Sequence, residues 1–253
     1  MEIKHQVVLV TGGSRGLGAE TVKAFAREGA KVIINYFQNE EKARELAETI
    51  GENALAVRAD VRDPAQVQSM FRMAQEHYRI PVTTIVNNAL VHFKFDPVAN
   101  KDAFAVGWED YQQQFEGAVR GALNTIQAGL PDMKEAKFGR IVNIGTNLFQ
   151  NPVVAYHDYT TSKAALLGFT RNMANDLGKY GVTVNMVSGG LLKMTDASSA
   201  TSDEVFKLIE ASTPLRKVTD PAEVADSILF FASPWSRAVN GQNLVVDGGL
   251  VMD

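Results

Sequence analysis

Short runs rich in Val and Ile alternate along the chain with segments whose apolar residues return every three or four positions. The runs are Val7–Val10, Lys31–Asn35, Ala54–Ala59, Thr83–Asn87, Arg140–Ile144, Thr183–Val187 and Gln242–Val246. They are apolar almost throughout rather than at every second position, as strands buried on both faces are. The periodic segments Gly18–Arg27, Glu40–Ile50, Pro64–His77, Trp108–Met133 and Tyr159–Leu177 read as amphipathic helices. Strand–helix alternation implies right-handed crossovers and a parallel sheet covered on both sides. The pattern therefore predicts a doubly wound, seven-stranded, Rossmann-like α/β fold in three α/β/α layers.

No Pro/Ser/Gly-rich linker, internal repeat or low-complexity tract interrupts the rhythm, so residues 1–253 are expected to form a single domain. Two stretches depart from it. Leu90–Gly107 is long and irregular, and Gly189–Ser202 is rich in small and hydroxyl residues. Both follow strands and overhang the carboxyl edge, where open α/β sheets bind ligands. They are the expected pocket wall and lid.

Composition narrows the chemistry. The 253 residues include no cysteine, which excludes a disulfide scaffold, thiolate zinc, iron–sulfur clusters and a cysteine nucleophile. Lys and Arg number 25 against 29 Asp and Glu, a formal charge of −4, with no long basic run, which argues against nucleic acid as a partner. His5, His77, His92 and His157 show no metal-ligand spacing, and no metal is expected. No stretch approaches the ~20 apolar residues that span a bilayer. Nothing in MEIKHQVVLVTGG resembles a cleavable leader, so a cytoplasmic protein without membrane partners is the expectation.

The first run is followed by Thr11-Gly12-Gly13-Ser14-Arg15-Gly16-Leu17-Gly18 and then a helix. Glycines at 12, 16 and 18 suit a tight strand-to-helix turn whose backbone approaches a pyrophosphate at the helix N-terminus. An acid at the end of the second strand would favour NAD, but that end reads Ile33-Ile34-Asn35-Tyr36. Arg15 can offer charge-assisted hydrogen bonds to a 2′-phosphate. NADP(H) is the expected cofactor.

Tyr159 and Lys163 lie one helical turn apart. A phenol of pKa ~10 is a poor acid–base group at neutral pH, and a neighbouring ammonium is expected to lower it. Tyr159 can then protonate a nascent alkoxide, and Thr146, thirteen positions earlier at a strand end, can donate to the same oxygen.

The glycine loop, Asp60-Val61, Asn87-Asn88-Ala89, the Tyr159/Lys163 pair and the closing Val246-Asp247-Gly248-Gly249 together resemble the classical short-chain dehydrogenase/reductase family over essentially the whole chain. Within it the chain is most similar to the 3-oxoacyl-(acyl-carrier-protein) reductases. The resemblance implies catalysis by Tyr159, Lys163 and Thr146. It implies a cofactor site of Gly12, Ser14, Arg15, Gly16, Leu17, Gly18, Asn35, Tyr36, Asp60, Val61, Asn88 and Ala89, with Lys163 also on the nicotinamide ribose. It further implies a homotetramer, with the last strand and the helices Trp108–Met133 and Tyr159–Leu177 at interfaces.

Four departures from the family pattern gather at the substrate end. Thr146 replaces the usual serine, and Ala118 replaces an asparagine that holds a relay water. Leu90 follows Asn87-Asn88-Ala89 where glycine is usual, and Gly189-Gly190 stands for Pro-Gly. The expected activity is NADPH-dependent reduction of a ketone or 3-oxoacyl thioester. Two alternatives stand beside it: an NADP(H)-binding sensor or structural protein with little turnover, and an enoyl reductase using Tyr156, seven residues before Lys163. An acyl-carrier partner would need a basic patch, for which Lys94, Lys101, Arg120 and Lys193 are candidates.

Overall fold

The computed structural model describes residues 1–91, 93, 95–96, 100–193, 195 and 198–252. His92 and Lys94, and parts of both irregular stretches, lie outside the described residues. Seven strands, β1 (Val7–Val10), β2 (Lys31–Tyr36), β3 (Ala54–Arg58), β4 (Thr84–Asn87), β5 (Gly139–Thr146), β6 (Val182–Gly189) and β7 (Asn243–Val246), form one sheet. Its order is β3-β2-β1-β4-β5-β6-β7 and every pairing is parallel. The strand order reverses between β1 and β4, and the crevice there is where such sheets take ligands.

Alternation within the strands assigns the two cores. Val8, Val10, Val32, Ile34, Val142 and Val187 point to one face, where α1 (Gly16–Arg27), α2 (Glu40–Ile50) and α8 (Pro221–Ala232) supply Phe25, Leu46 and Ile228. Val7, Leu9, Ile33, Ile85, Ile141 and Val184 point to the other, met by α3 (Pro64–Tyr78), α5 (Gly121–Ala136) and α6 (His157–Leu177) through Met70, Ile126 and Leu177. Both faces being covered explains the continuously apolar strands.

Local signals set several helix ends. Asp63 caps α3, accepting from the amides of Ala65 at 2.9 Å and Gln66 at 3.2 Å, with Pro64 in the first turn. At α8, Asp220 and Glu223 form a capping box and Pro221 starts the helix.

Two features differ from the periodicity reading. The expected helix Trp108–Met133 is interrupted: α4 (Trp108–Phe115) runs into a π-helical turn, Glu116–Arg120, before α5. Two further helices, α7 (Asp203–Ser212) and α8, lie outside the periodic segments. The run Ile228–Ala232 within α8 is continuously apolar and carries little helical alternation, while α7 buries none of its side chains and leaves Leu208 exposed.

Candidate active site

The carboxyl ends of β1, β2 and β4 build a cradle. Thr11 receives the backbone amides of Asn88 at 2.9 Å and Ala89 at 3.0 Å on its hydroxyl. Asn88 returns its side-chain amide to the Thr11 carbonyl at 2.9 Å and the Gly12 carbonyl at 3.2 Å. Asn35 is buried and points inward: its Oδ1 accepts from the Gly12 amide at 3.3 Å and its Nδ2 donates to the Ala59 carbonyl at 3.0 Å. It braces the loop instead of reaching the surface. Tyr36 beside it is also buried.

Backbone closeness decides what the loop can accept. Gly12 and Gly16 have φ of 61° and 52°, in the left-handed region glycine adopts freely. A Cβ at Gly18 would stand 2.2 Å from the Gly12 carbonyl oxygen, so helix and loop are in direct contact. The start of α1 therefore presents free amides and the positive helix end to whatever lies over the loop. Ser14 is buried, Leu17 packs on the core, and Arg15 is exposed in extended backbone at the helix N-cap. These features fit a dinucleotide pyrophosphate.

Asp60 and Val61 lie beyond β3. The Asp60 carboxylate is held in a two-pronged ion pair by Arg62, with contacts of 2.7 and 3.0 Å. Val61 is buried, and its carbonyl accepts from Asn124 at 2.8 Å.

Thr146 is the last residue of β5, while Tyr159 and Lys163 occupy the first two turns of α6. All three are buried, and Thr146 lies near enough to the Tyr159 hydroxyl to favour its phenolate. Lys163 Nζ lies 5.8 Å from the Tyr159 ring centroid and donates to the Ile144 carbonyl at 2.7 Å. The phenol is not lowered as expected from its neighbour. Burial pushes Tyr159 up to about 12, with Thr146 pulling the other way. Burial also pushes the Lys163 ammonium down to about 8. Desolvation penalises the charged form of each group.

In two supports, residues of the sequence motifs, Asn87 and Asp247, join partners that no motif names. A buried chain runs across the sheet: Thr125 donates to Asn87 at 2.7 Å, Asn87 to Asn143 at 2.9 Å, and Asn143 to Thr170 at 2.8 Å. Asn143 inside the apolar run Arg140–Ile144 was the available signal. Next to Thr146, Asn147 donates at 2.8 Å to Asp247, whose carboxylate also accepts the amides of Gly249, Leu250 and Val251 at 3.0 Å each. The closing Asp-Gly-Gly turn thus ties the C-terminal segment to the end of β5.

Ala118 sits in the π-helical turn and lines a small cavity with Lys163, Asn87 and Thr11. Its volume is about 10 Å³ for the centre of a water molecule, roughly the room one water needs. Of the candidates for a basic patch, Lys94 lies outside the described residues. Lys101 pairs with Asp110 at 2.7 Å, Arg120 lies 3.9 Å from Glu116, and Lys193 lines a separate cavity with Lys207 and Lys217. Among the described residues no group of His, Asp or Glu could hold a metal ion, and no helix is long and apolar enough to cross a membrane.

A family model described as enoyl-(acyl carrier protein) reductase matches residues 12–251. The chain is 29% identical over 252 residues to a 3-oxoacyl-(acyl-carrier-protein) reductase of Vibrio cholerae, covering 100% of both chains. It is 33% identical over 256 residues to a Synechocystis protein of the same name, covering 98% of this chain and 97% of the relative. A short-chain type dehydrogenase/reductase of Picea abies is 32% identical, covering 97% of this chain and 92% of its own.

Proposed function

The chain belongs to the short-chain dehydrogenase/reductase family, and from that premise we propose that it is an NADPH-dependent carbonyl reductase in which Tyr159 delivers the proton. The observation that carries the reading is the joint burial of Thr146, Tyr159 and Lys163 where β5 ends and α6 begins, with Lys163 Nζ 5.8 Å from the centre of the Tyr159 ring. In this reading the chain is a single catalytic domain of the 3-oxoacyl reductase type named for its relatives, and its loops shape the pocket.

The glycine loop and the start of α1 would hold the pyrophosphate, and Arg15 would meet the 2′-phosphate. Tyr36, Val61 and Ala89 would border the nucleotide, with Asn35 and Asn88 keeping the loop in shape. Once bound, the nicotinamide supplies the hydride. The protein supplies the rest. A phenol held near 12 keeps its proton at neutral pH and is armed as a donor. Thr146 fixes the direction of that donor and offers a second contact to the developing oxyanion. Lys163, anchored by Ile144, presents its remaining donors to the ribose and to Tyr159.

Carbonyl reduction is preferred to enoyl reduction because Lys163 Nζ lies over the Tyr159 ring, 5.8 Å from its centroid, one helical turn away. The test is oxidation of NADPH and NADH with 3-oxoacyl thioesters, diketones and cyclic ketones, beside Tyr159→Phe. Substrate-dependent oxidation lost in that variant supports the reading. NADPH binding without turnover in either protein would leave a cofactor-binding sensor instead.

A further inference from the structure

Four aromatic rings meet at the catalytic tyrosine. Phe93 is stacked on Tyr159, with centroids 4.3 Å apart and planes 14° from parallel. Phe95 meets Phe93 edge-on at 5.1 Å and Tyr159 edge-on at 5.4 Å. Tyr156 meets Phe93 edge-on at 5.2 Å. The Phe93 ring thus lies in a slot with a parallel face on one side and aromatic edges around it.

The slot is built by the fold as well as by the rings. Val91 is pinned on the α4 side, where its carbonyl accepts from Gln114 at 3.2 Å. A Cβ on Gly117 would fall 2.9 Å from the Val91 side chain, so only glycine permits this approach. Val91, Phe93 and Phe95 alternate as the apolar positions of the segment, which carries both phenylalanines to the same aromatic cluster. Tyr156 and Tyr159 are held by the entry and first turn of α6 and are each 5% exposed. At one end of this apolar slot stands the Tyr159 hydroxyl, with Thr146 near enough to favour its phenolate.

Resting on the carbonyl-reductase reading, we propose that this slot recognises a flat ring ketone, and that Phe93 occupies the place the substrate ring takes. Aromatic faces and edges reward a planar ring through offset stacking and edge contacts that a flexible acyl chain cannot reproduce. The single polar end matches one carbonyl carried on the rim of such a ring. Binding turns Phe93 out of the slot, so the native side chain competes with the ligand and lowers its apparent affinity. The class is an aryl or fused cyclic ketone, in preference to the linear 3-oxoacyl thioester suggested by the names of the relatives.

The experiment compares 1-tetralone with 2-octanone, in wild type and in Phe93→Ala. Binding to these two proteins loaded with NADP+, which has no hydride to give, is followed by ligand-observed NMR titration and needs no turnover. Tetralone is expected to bind at least tenfold more tightly than octanone, and adding Phe93→Ala should tighten tetralone about fivefold further. Equal affinity for the two ketones overturns the ring preference. An unchanged or weakened tetralone affinity in Phe93→Ala overturns the stand-in role of Phe93. Kinetics on the Tyr159 protein separates the two readings: tight tetralone binding without NADPH oxidation sinks the reductase reading and leaves the slot standing. Brisk reduction of acetoacetyl thioester with no tetralone binding does the reverse.

Discussion

Lys163 Nζ stands 5.8 Å from the centre of the Tyr159 ring, and its hydrogen bond of 2.7 Å goes to the Ile144 carbonyl rather than to the phenol. The pair therefore shares a buried site, where burial lowers the lysine to about 8 and raises the tyrosine to about 12.

That geometry predicts a pH dependence of stability. An unfolded lysine keeps its proton up to a pKa of 10.5, whereas Lys163 in the folded chain loses it near 8. Between these values the unfolded state binds more protons, so stability from this group rises with pH. Above pH 10 Tyr159 acts oppositely, because the folded chain retains a phenolic proton that the unfolded chain releases. Urea unfolding of wild type and Lys163→Met at pH 8 and 10 checks the lysine alone. Wild type should gain on the variant over that interval, toward a limit on the order of 3 kcal/mol. A constant difference would show that Lys163 remains charged in the fold.

Two glycines on helices should respond in opposite ways. Gly18→Ala places a methyl group 2.2 Å from the Gly12 carbonyl oxygen, and both partners are backbone at a tight turn. Loop and helix must separate, at a cost of about 1–3 kcal/mol, with at least tenfold weaker NADPH binding by fluorescence titration. Gly168 lies inside α6 with nothing within 4 Å of an added Cβ. Gly168→Ala should stabilise by about 0.5–1 kcal/mol and leave NADPH affinity unchanged.

Arg15 supplies the test of cofactor choice. It is exposed at the N-cap of α1, beside a β2 end that carries no acid. Arg15→Gln removes the cation and keeps a hydrogen-bonding side chain. The KM for NADPH should rise about tenfold, equivalent to about 1.4 kcal/mol, with the KM for NADH within twofold. Equal losses with both cofactors would place Arg15 on the shared pyrophosphate.

The sheet was legible because both its faces are buried. The strands then read as unbroken apolar runs, and the observed pairings fall on the segments they define. The glycine loop was legible for a similar reason, since close backbone contact leaves few residue choices at Gly12, Gly16 and Gly18. Tertiary relationships were not. Neither the stacking of Phe93 on Tyr159 nor the link from Asn147 to Asp247 leaves a local pattern, because each joins segments far apart in the chain. The expected fall in the Tyr159 pKa failed on depth of burial, which residue spacing does not report.

The π-helical turn at Ala118 supplies the last prediction. It was hidden in an apparently regular periodicity, and it faces the cavity that Lys163, Asn87 and Thr11 share. A buried ammonium has three donors, and Ile144 accepts from one of them. With alanine at 118, the cavity has about the volume of one water and polar groups to hold it. Ala118→Asn puts a carboxamide into that space, where its oxygen can accept from Lys163 and shorten the proton path to Tyr159. If proton supply limits turnover, kcat should rise threefold or more with the KM for NADPH unchanged. Crowding should cost about 1 kcal/mol of stability. Ala118→Val fills the same space without an acceptor, so kcat should fall instead. The two variants moving kcat in the same direction would show that the cavity takes no part in proton supply.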